Sequence, residues 1–274
     1  MRYGLDVATS GDWSDVRVLA QLAADAEVAG WDGFFVWDLL LGRDNAAEAI
    51  ADPWIALTAI ALATSRMRIG ALVTPLARRR PAEVARQVAI LDRLSGGRMI
   101  LGAGLGWQDD DFTRLGEDPD RRLRAAKLDE SLEAIAELWL GQPVWMTGRH
   151  VRIEGAILLP TPLQRPRVPV WLAAGWPRRV PLERAARWDG LCLMTANQAT
   201  GDPLAATEVA EAVRAVMGLR GDHDRPFDVT ANYFLDEPQG AAALEEAGAT
   251  WAIGLTPETL DEHRTRIRAG PQRG

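Results

Sequence analysis

Cysteine occurs once in 274 residues and histidine three times, and each scarcity removes a class of chemistry. A lone Cys192 cannot close an intramolecular disulfide. It sits in the apolar run Gly190-Leu191-Cys192-Leu193-Met194 with no histidine beside it, the setting of a buried strand residue rather than an activated thiol. His150, His223 and His263 lack ligand spacing to one another or to carboxylates, so no metal centre is expected. No run of eighteen apolar residues is present, and Met1 to Val7 reads as a first strand rather than a signal core. A cytoplasmic location is expected. With 38 acidic and 31 basic residues and a formal charge of −7, there is no continuous basic face. Neither nucleic acid nor membrane is therefore an expected partner. Nucleophile-elbow and phosphate-loop motifs are missing as well.

What is present is a regular alternation. The chain is 47% hydrophobic and 25% charged, enough to bury a sizeable core. Short apolar runs at 2–7, 33–38, 67–73, 98–103, 168–174, 189–195, 227–234 and 250–255 read as strands. Segments of helical period follow them at 13–29, 51–64, 81–94, 121–140, 177–187, 203–217, 238–247 and 257–269. Pro53, Pro81 and Pro177 are placed in first helical turns, and Gly30, Gly96 and Gly218 just beyond helix ends. Eight βα units in a chain of this length predict one (β/α)8 TIM barrel over residues 1–274 rather than an open doubly wound sheet. The stretch 142–166 breaks the pattern: Val144-Trp145-Met146 and His150-Val151-Arg152 flank Thr147-Gly148-Arg149, a hairpin-like excursion between the fourth helix and the fifth barrel strand.

In such a barrel the site lies on the loops after the strands. The informative ends are Asp6 to Thr9, Trp37-Asp38, Thr74-Pro75, Gly102 to Asp111, Ala173 to Arg179, Thr195 to Asn197, Asn232 to Phe234, and Thr256. The run Gly102-Ala103-Gly104-Leu105-Gly106-Trp107 is a poor dinucleotide fingerprint, because its third glycine position is Trp107 and an acidic cluster, Asp109 to Asp111, follows. It suits a sharp turn and close approach of a flat ligand. The cluster itself reads either as a cap of the next short helix or as a catalytic group. Gly175-Trp176-Pro177-Arg178-Arg179 enters a helix with two cations, which suits a phosphate-bearing cofactor or else a solvated turn. Arg78-Arg79-Arg80 is either a solvated run or a contact for an acidic tail. With few acid–base candidates and eleven tryptophans, an organic cofactor is expected to carry the reaction, with Trp37, Trp107 and Trp176 placed to wall a flat ring.

Several segments together resemble the luciferase-like superfamily of flavin monooxygenases and reductases using the deazaflavin coenzyme F420. They are Glu27 to Asp38 (EVAGWDGFFVWD), Arg68 to Pro75 (RIGALVTP), Leu91 to Arg98 (LDRLSGGR) leading into Gly102 to Trp107, Arg184 to Gly190 (RAARWDG) and Arg266 to Pro271 (RIRAGP). The resemblance implies a ring lying against the third strand over a non-prolyl cis peptide at Ala71-Leu72. It also implies that Gly106 and Trp107 approach the cofactor and that Ala174, Gly175, Trp176, Pro177 and Arg178 hold its phosphate end. With the strand ends Asp38 and Thr74, these residues form the expected cofactor-binding set; no catalytic acid or base is assigned. The family's Asp-His after the second strand is Asp38-Leu39 here, and the acidic residue that its dehydrogenases carry after the glycine-rich strand is replaced by Trp107.

These departures fit a monooxygenase or a reductase acting on an apolar substrate, and the leading expectation is a monooxygenase using reduced FMN and oxygen on a small organic substrate, with a separate flavin reductase as partner. The alternatives are an F420-dependent hydride-transfer reductase, a non-catalytic flavin-binding protein, and an isomerase of a phosphorylated substrate with no coloured cofactor. The resemblance also implies a homodimer.

Overall fold

A strand buried on both faces can satisfy its amides only against neighbouring strands, and the eight apolar runs do so by pairing in parallel. The computed structural model describes residues 1–196, 202–221, 224–235, 239–255 and 259–273. Asn197, Thr256 and His223, named above, lie outside them. The barrel strands are β1 (Arg2–Val7), β2 (Gly33–Val36), β3 (Arg68–Pro75), β4 (Met99–Gly104), β7 (Val170–Trp176), β8 (Gly190–Thr195), β9 (Asp228–Phe234) and β10 (Trp251–Leu255). They close in the order β1-β10-β9-β8-β7-β4-β3-β2. The excursion is a separate antiparallel pair, β5 (Val144–Thr147) and β6 (Arg152–Ala156), joined by the expected turn.

Around the barrel run α1 (Val16–Val28), α2 (Pro53–Ala63), α3 (Pro81–Leu94), the single turn α4 (Asp110–Thr113), α5 (Arg121–Leu138), α6 (Arg179–Ala185), α7 (Ala206–Leu219), α8 (Gln239–Glu246) and α9 (Leu260–Ala269). Pro53 and Pro81 open their helices as expected. Pro177 does not. The β7–β8 ladder continues to Trp176 opposite Thr195, and Arg178 is still extended, so α6 starts only at Arg179. Similarly, α1 begins three residues later than its period suggests, because the Asp15 carboxylate accepts from the Arg17 amide and sets the cap there.

Strand alternation divides the core into two layers. Residues pointing outward from the barrel, such as Leu5, Val7, Phe34 and Val36, pack under the helices. Inward, Phe35, Ile100, Trp171, Cys192, Trp251 and Ile253 form a separate cluster. Phe35, Trp171 and Trp251 meet one another with ring centroids 5.3–5.9 Å apart, plugging the barrel. Gly33 makes room for it: a Cβ there would stand 2.8 Å from both Phe35 and Trp251. Cys192 lies in this plug, with its thiol raised well above the ordinary range by burial. It is a packing residue, as its apolar run suggested.

Candidate active site

Above the plug, at the carboxyl ends of the strands, opens a cavity of about 680 Å³, within the range of small-molecule sites. Its walls are largely apolar: Leu39, Leu72, Val73, Leu105, Leu193, Met194, Leu204 and Leu255. Gly106 turns the chain at its edge with φ +84°, and an added Cβ would lie 3.0–3.1 Å from Phe112 and Pro75. That position therefore demands glycine, as the glycine-rich run indicated.

On the floor stands a carboxyl group to which the sequence reading gave no role. Along β1, Gly4 points inward to Phe35 and Ile253, so Asp6, two residues on, also points inward, directly over the plug. Asp6 lines the cavity, yet its Oδ1 is sealed from solvent and has no hydrogen-bond partner among the described residues. Burial raises its carboxyl to about 7, against a lowering contribution from the Trp37 side chain, which hydrogen-bonds to it. The signal was available: in the alternating strand Tyr3-Gly4-Leu5-Asp6-Val7, a carboxylate at inward parity has to face the barrel interior.

Of the expected cofactor-binding set, Asp38, Leu72, Gly106, Trp107, Gly175 and Arg178 line this one cavity. Ala71, Thr74, Ala174, Trp176 and Pro177 do not. Ala71 and Ala174 have the opposite strand parity and pack outward under the helices, which Trp176 also joins. Thr74 is fully buried, and Pro177 is displaced to the exposed turn before α6. The non-prolyl cis peptide is present one residue later than expected, at Leu72-Val73. Ala71 remains in regular register opposite Leu101, and the irregularity in the β3–β4 ladder begins only after it.

Asp38 reaches the cavity, but its carboxylate is already engaged. Arg78 donates to its Oδ1 at 2.7 Å and to its carbonyl at 2.7 Å, while Arg79 donates to Oδ1 at 2.8 Å and Oδ2 at 3.1 Å. Arg78 also pairs with Asp111, whose Oδ1 accepts from the Leu41 amide. The arginine run is thus split: Arg78 and Arg79 brace the second and third strand ends and only Arg80 is exposed. The acidic cluster is split too, since Asp109 makes no cap bond and instead accepts from Arg124 at 2.6 Å.

Three arginines line the cavity, Arg43, Arg121 and Arg178. All are exposed. Arg43 lies over the Trp107 ring at 4.8 Å. An apolar cavity with cations at its edge fits a phosphate-bearing ring cofactor, for which Leu72, Val73 and Gly106 would line the ring and Arg178 would meet the phosphate. Among the described residues no three His, Cys, Asp or Glu side chains gather as metal ligands, and no helix is long and apolar enough to cross a membrane. His263 is fully buried, held near 4 by burial, and accepts from the Trp13 indole at 3.2 Å on α9, away from the cavity.

A family model described as luciferase-like monooxygenase matches residues 3–272. An F420-dependent glucose-6-phosphate dehydrogenase from Mycolicibacterium fortuitum is 30% identical over 251 residues, covering 88% of this chain and 71% of the relative. Among solved structures, the coenzyme F420-dependent tetrahydromethanopterin reductase from Methanopyrus kandleri superposes with a TM-score of 0.79 at 18% identity, covering 99% of this chain and 97% of that one. The oxygenating constituent of 3,6-diketocamphane monooxygenase from Pseudomonas putida, in complex with FMN, gives 0.68 at 14% identity over 84% and 66%. Both structural likenesses concern the fold.

Proposed function

Since the chain belongs to the luciferase-like monooxygenase family of oxidoreductases, we propose that it is an F420-dependent enzyme exchanging a hydride with a small organic substrate. The observation that carries this reading is the identity of the curated relatives: the dehydrogenase from M. fortuitum and a second, 32% identical over 249 residues, from Amycolatopsis mediterranei are both F420-dependent. They favour hydride transfer over oxygenation with reduced FMN, the leading expectation from the sequence.

When bound, a reduced deazaflavin supplies a hydride, and the protein supplies position, a dry surface and charge. Leu72 and Val73 offer an apolar bed for a ring, and the close turn at Gly106 lets a flat group approach the backbone. Arg178 is at the rim beside Gly175 and Pro181, and it forms no ion pair with a described carboxylate. We assign it the phosphate. A second copy of this chain is also part of the proposal, on the apolar face of α2, where Ile55 and Leu62 are 61% and 70% exposed.

Tryptophan-fluorescence titration of the purified protein tests the cofactor, because Trp37 and Trp107 line the cavity and should be quenched by a bound ring. Binding of F420 at least tenfold tighter than FMN is expected. Preference for FMN would restore the oxygenase reading, and binding of neither would overturn both. Arg178→Glu should weaken F420 affinity by about 1 kcal/mol or more, the lower range for a charge-assisted hydrogen bond; an unchanged isotherm would remove Arg178 from the phosphate site.

A further inference from the structure

Asp6 is an ionisable side chain of the barrel interior that the proposed cofactor contacts leave without a task. It lines the floor of the cavity, and the Trp37 side chain from the end of β2 hydrogen-bonds to it. Its Oδ1 is buried without a partner among the described residues. A buried carboxyl oxygen with no partner is costly unless the group holds a proton or meets a ligand. The groups facing it do not neutralise it. Across the barrel on β8 stands the Cys192 thiol, itself raised by burial and by the Asp6 charge, with a hydrogen bond to Thr230. On β10 its register partner is Leu255, and on β2 it is Phe35. On β9, Asn232 brings a neutral amide to the same cavity, while the neighbouring Tyr233 has the opposite parity and packs outward under the helices. No cation contributes to its ionisation.

Resting on the hydride-transfer reading, we infer that Asp6 is the catalytic acid–base, and that the substrate is a carbonyl compound and its alcohol with an apolar body. A neutral carboxyl can give its proton to a carbonyl oxygen and, once ionised, take one from a hydroxyl. The surrounding Leu39, Leu72, Leu193 and Leu255 accept an apolar body and repel a charged one. In the reducing direction a bound reduced deazaflavin would supply the carbonyl carbon with a hydride, and with it both electrons. The carbonyl oxygen takes the Asp6 proton as that O–H bond breaks, giving a neutral alcohol and the Asp6 carboxylate. Water then returns a proton to Asp6, and alcohol oxidation runs the same steps backward. The missing histidine after the second strand is thereby replaced from the first strand.

The test has two arms. In the first, carbon NMR of the apoprotein labelled at aspartate carboxyls follows their titration. One resonance is expected to titrate near pH 7, in line with the burial of Asp6, and to vanish in Asp6→Asn. If no aspartate titrates above about pH 5.5, against an ordinary value near 3.9, the inference is overturned whatever the cofactor. In the second, Asp6→Asn, which keeps the side chain's shape, should bind F420 within about threefold of wild type by fluorescence. It should also lose roughly 10²–10⁴-fold in kcat on aliphatic ketones and secondary alcohols, together with the pH dependence near neutrality. Asp6→Glu should recover part of the rate. An Asp6→Asn enzyme within tenfold of wild type across pH overturns the assignment. Failure of wild type to bind F420 overturns the cofactor reading instead, and the NMR arm still decides whether Asp6 holds the proton.

Discussion

A single side chain in this barrel can be read as a ligand contact from its position and turn out to be a brace from its partners. Asp38 is at a strand end beside the cavity, yet two guanidinium groups take its carboxylate oxygens, and the Arg78 side chain they share with Asp111 is 2% exposed. Removing one member of a buried ionic set leaves the others uncompensated, at about 3–5 kcal/mol. Asp38→Ala should therefore lower the urea-unfolding free energy by roughly that amount, whereas Arg80→Ala, on an exposed residue, should change it by less than about 0.5 kcal/mol. Equal effects would return Asp38 to the role of a surface or ligand group. The position of Asp38 was legible because strand ends are marked in sequence by the close of an apolar run. Its partners were not, since Arg78 and Arg79 lie 40 and 41 residues away and meet it only once β2 and β3 are adjacent. Asp6 shows the converse: alternation alone orients it, but its lack of a partner requires the assembled floor.

At the scale of elements, one carboxylate ties α1 to the loop between α2 and β3. Glu27, in the last turn of α1, accepts from the amides of Ser65, Arg66 and Met67 and from the Ser65 hydroxyl at 2.7–3.0 Å. Burial would raise its carboxyl, but the Met67, Arg66 and Ser65 amides outweigh it and lower it to about 2. Because the folded value lies below the unfolded one, this contribution is complete above about pH 4.5 and is lost as the pH falls toward 2. Glu27→Gln should thus cost roughly 1–2 kcal/mol at pH 7 after solvent screening, and the gap to wild type should close by about pH 2 in denaturant titrations. A gap of constant size would mean that the contact is steric rather than ionic. The periodicity that marked the eight βα units is a property of each segment, which is why element order and type were legible. The boundary at β7 and α6 was not, because it is the ladder to β8 that keeps Trp176 in the strand past the point where Pro177 suggests a helix.

For the molecule as a whole, the helix that fits its neighbours least well is α2. A surface helix of a folded monomer presents a polar face to water, whereas Pro53 to Ala63 reads PWIALTAIALA, with no charged residue on either side. Its inner face, Trp54, Leu57, Ile60 and Ala61, packs into the core, leaving Ile55 and Leu62 outward, and the adjacent α3 also exposes Ile90 and Leu94. Exposed large apolar side chains on two neighbouring helices are the composition of a buried interface rather than of a solvated one. If a second copy covers it, light scattering at micromolar concentration should give twice the 29.9 kDa chain mass. The double variant Ile55→Glu, Leu62→Glu should fall to a single chain mass, because burying two unpaired carboxylates against the partner's apolar helices costs several kcal/mol. Both substitutions lie on the outer helical layer, away from the strand-end cavity, so F420 binding by the separated chains should persist if the face serves assembly alone. A wild-type protein that scatters as one chain would show instead that α2 tolerates water, and the apolar face would need another explanation.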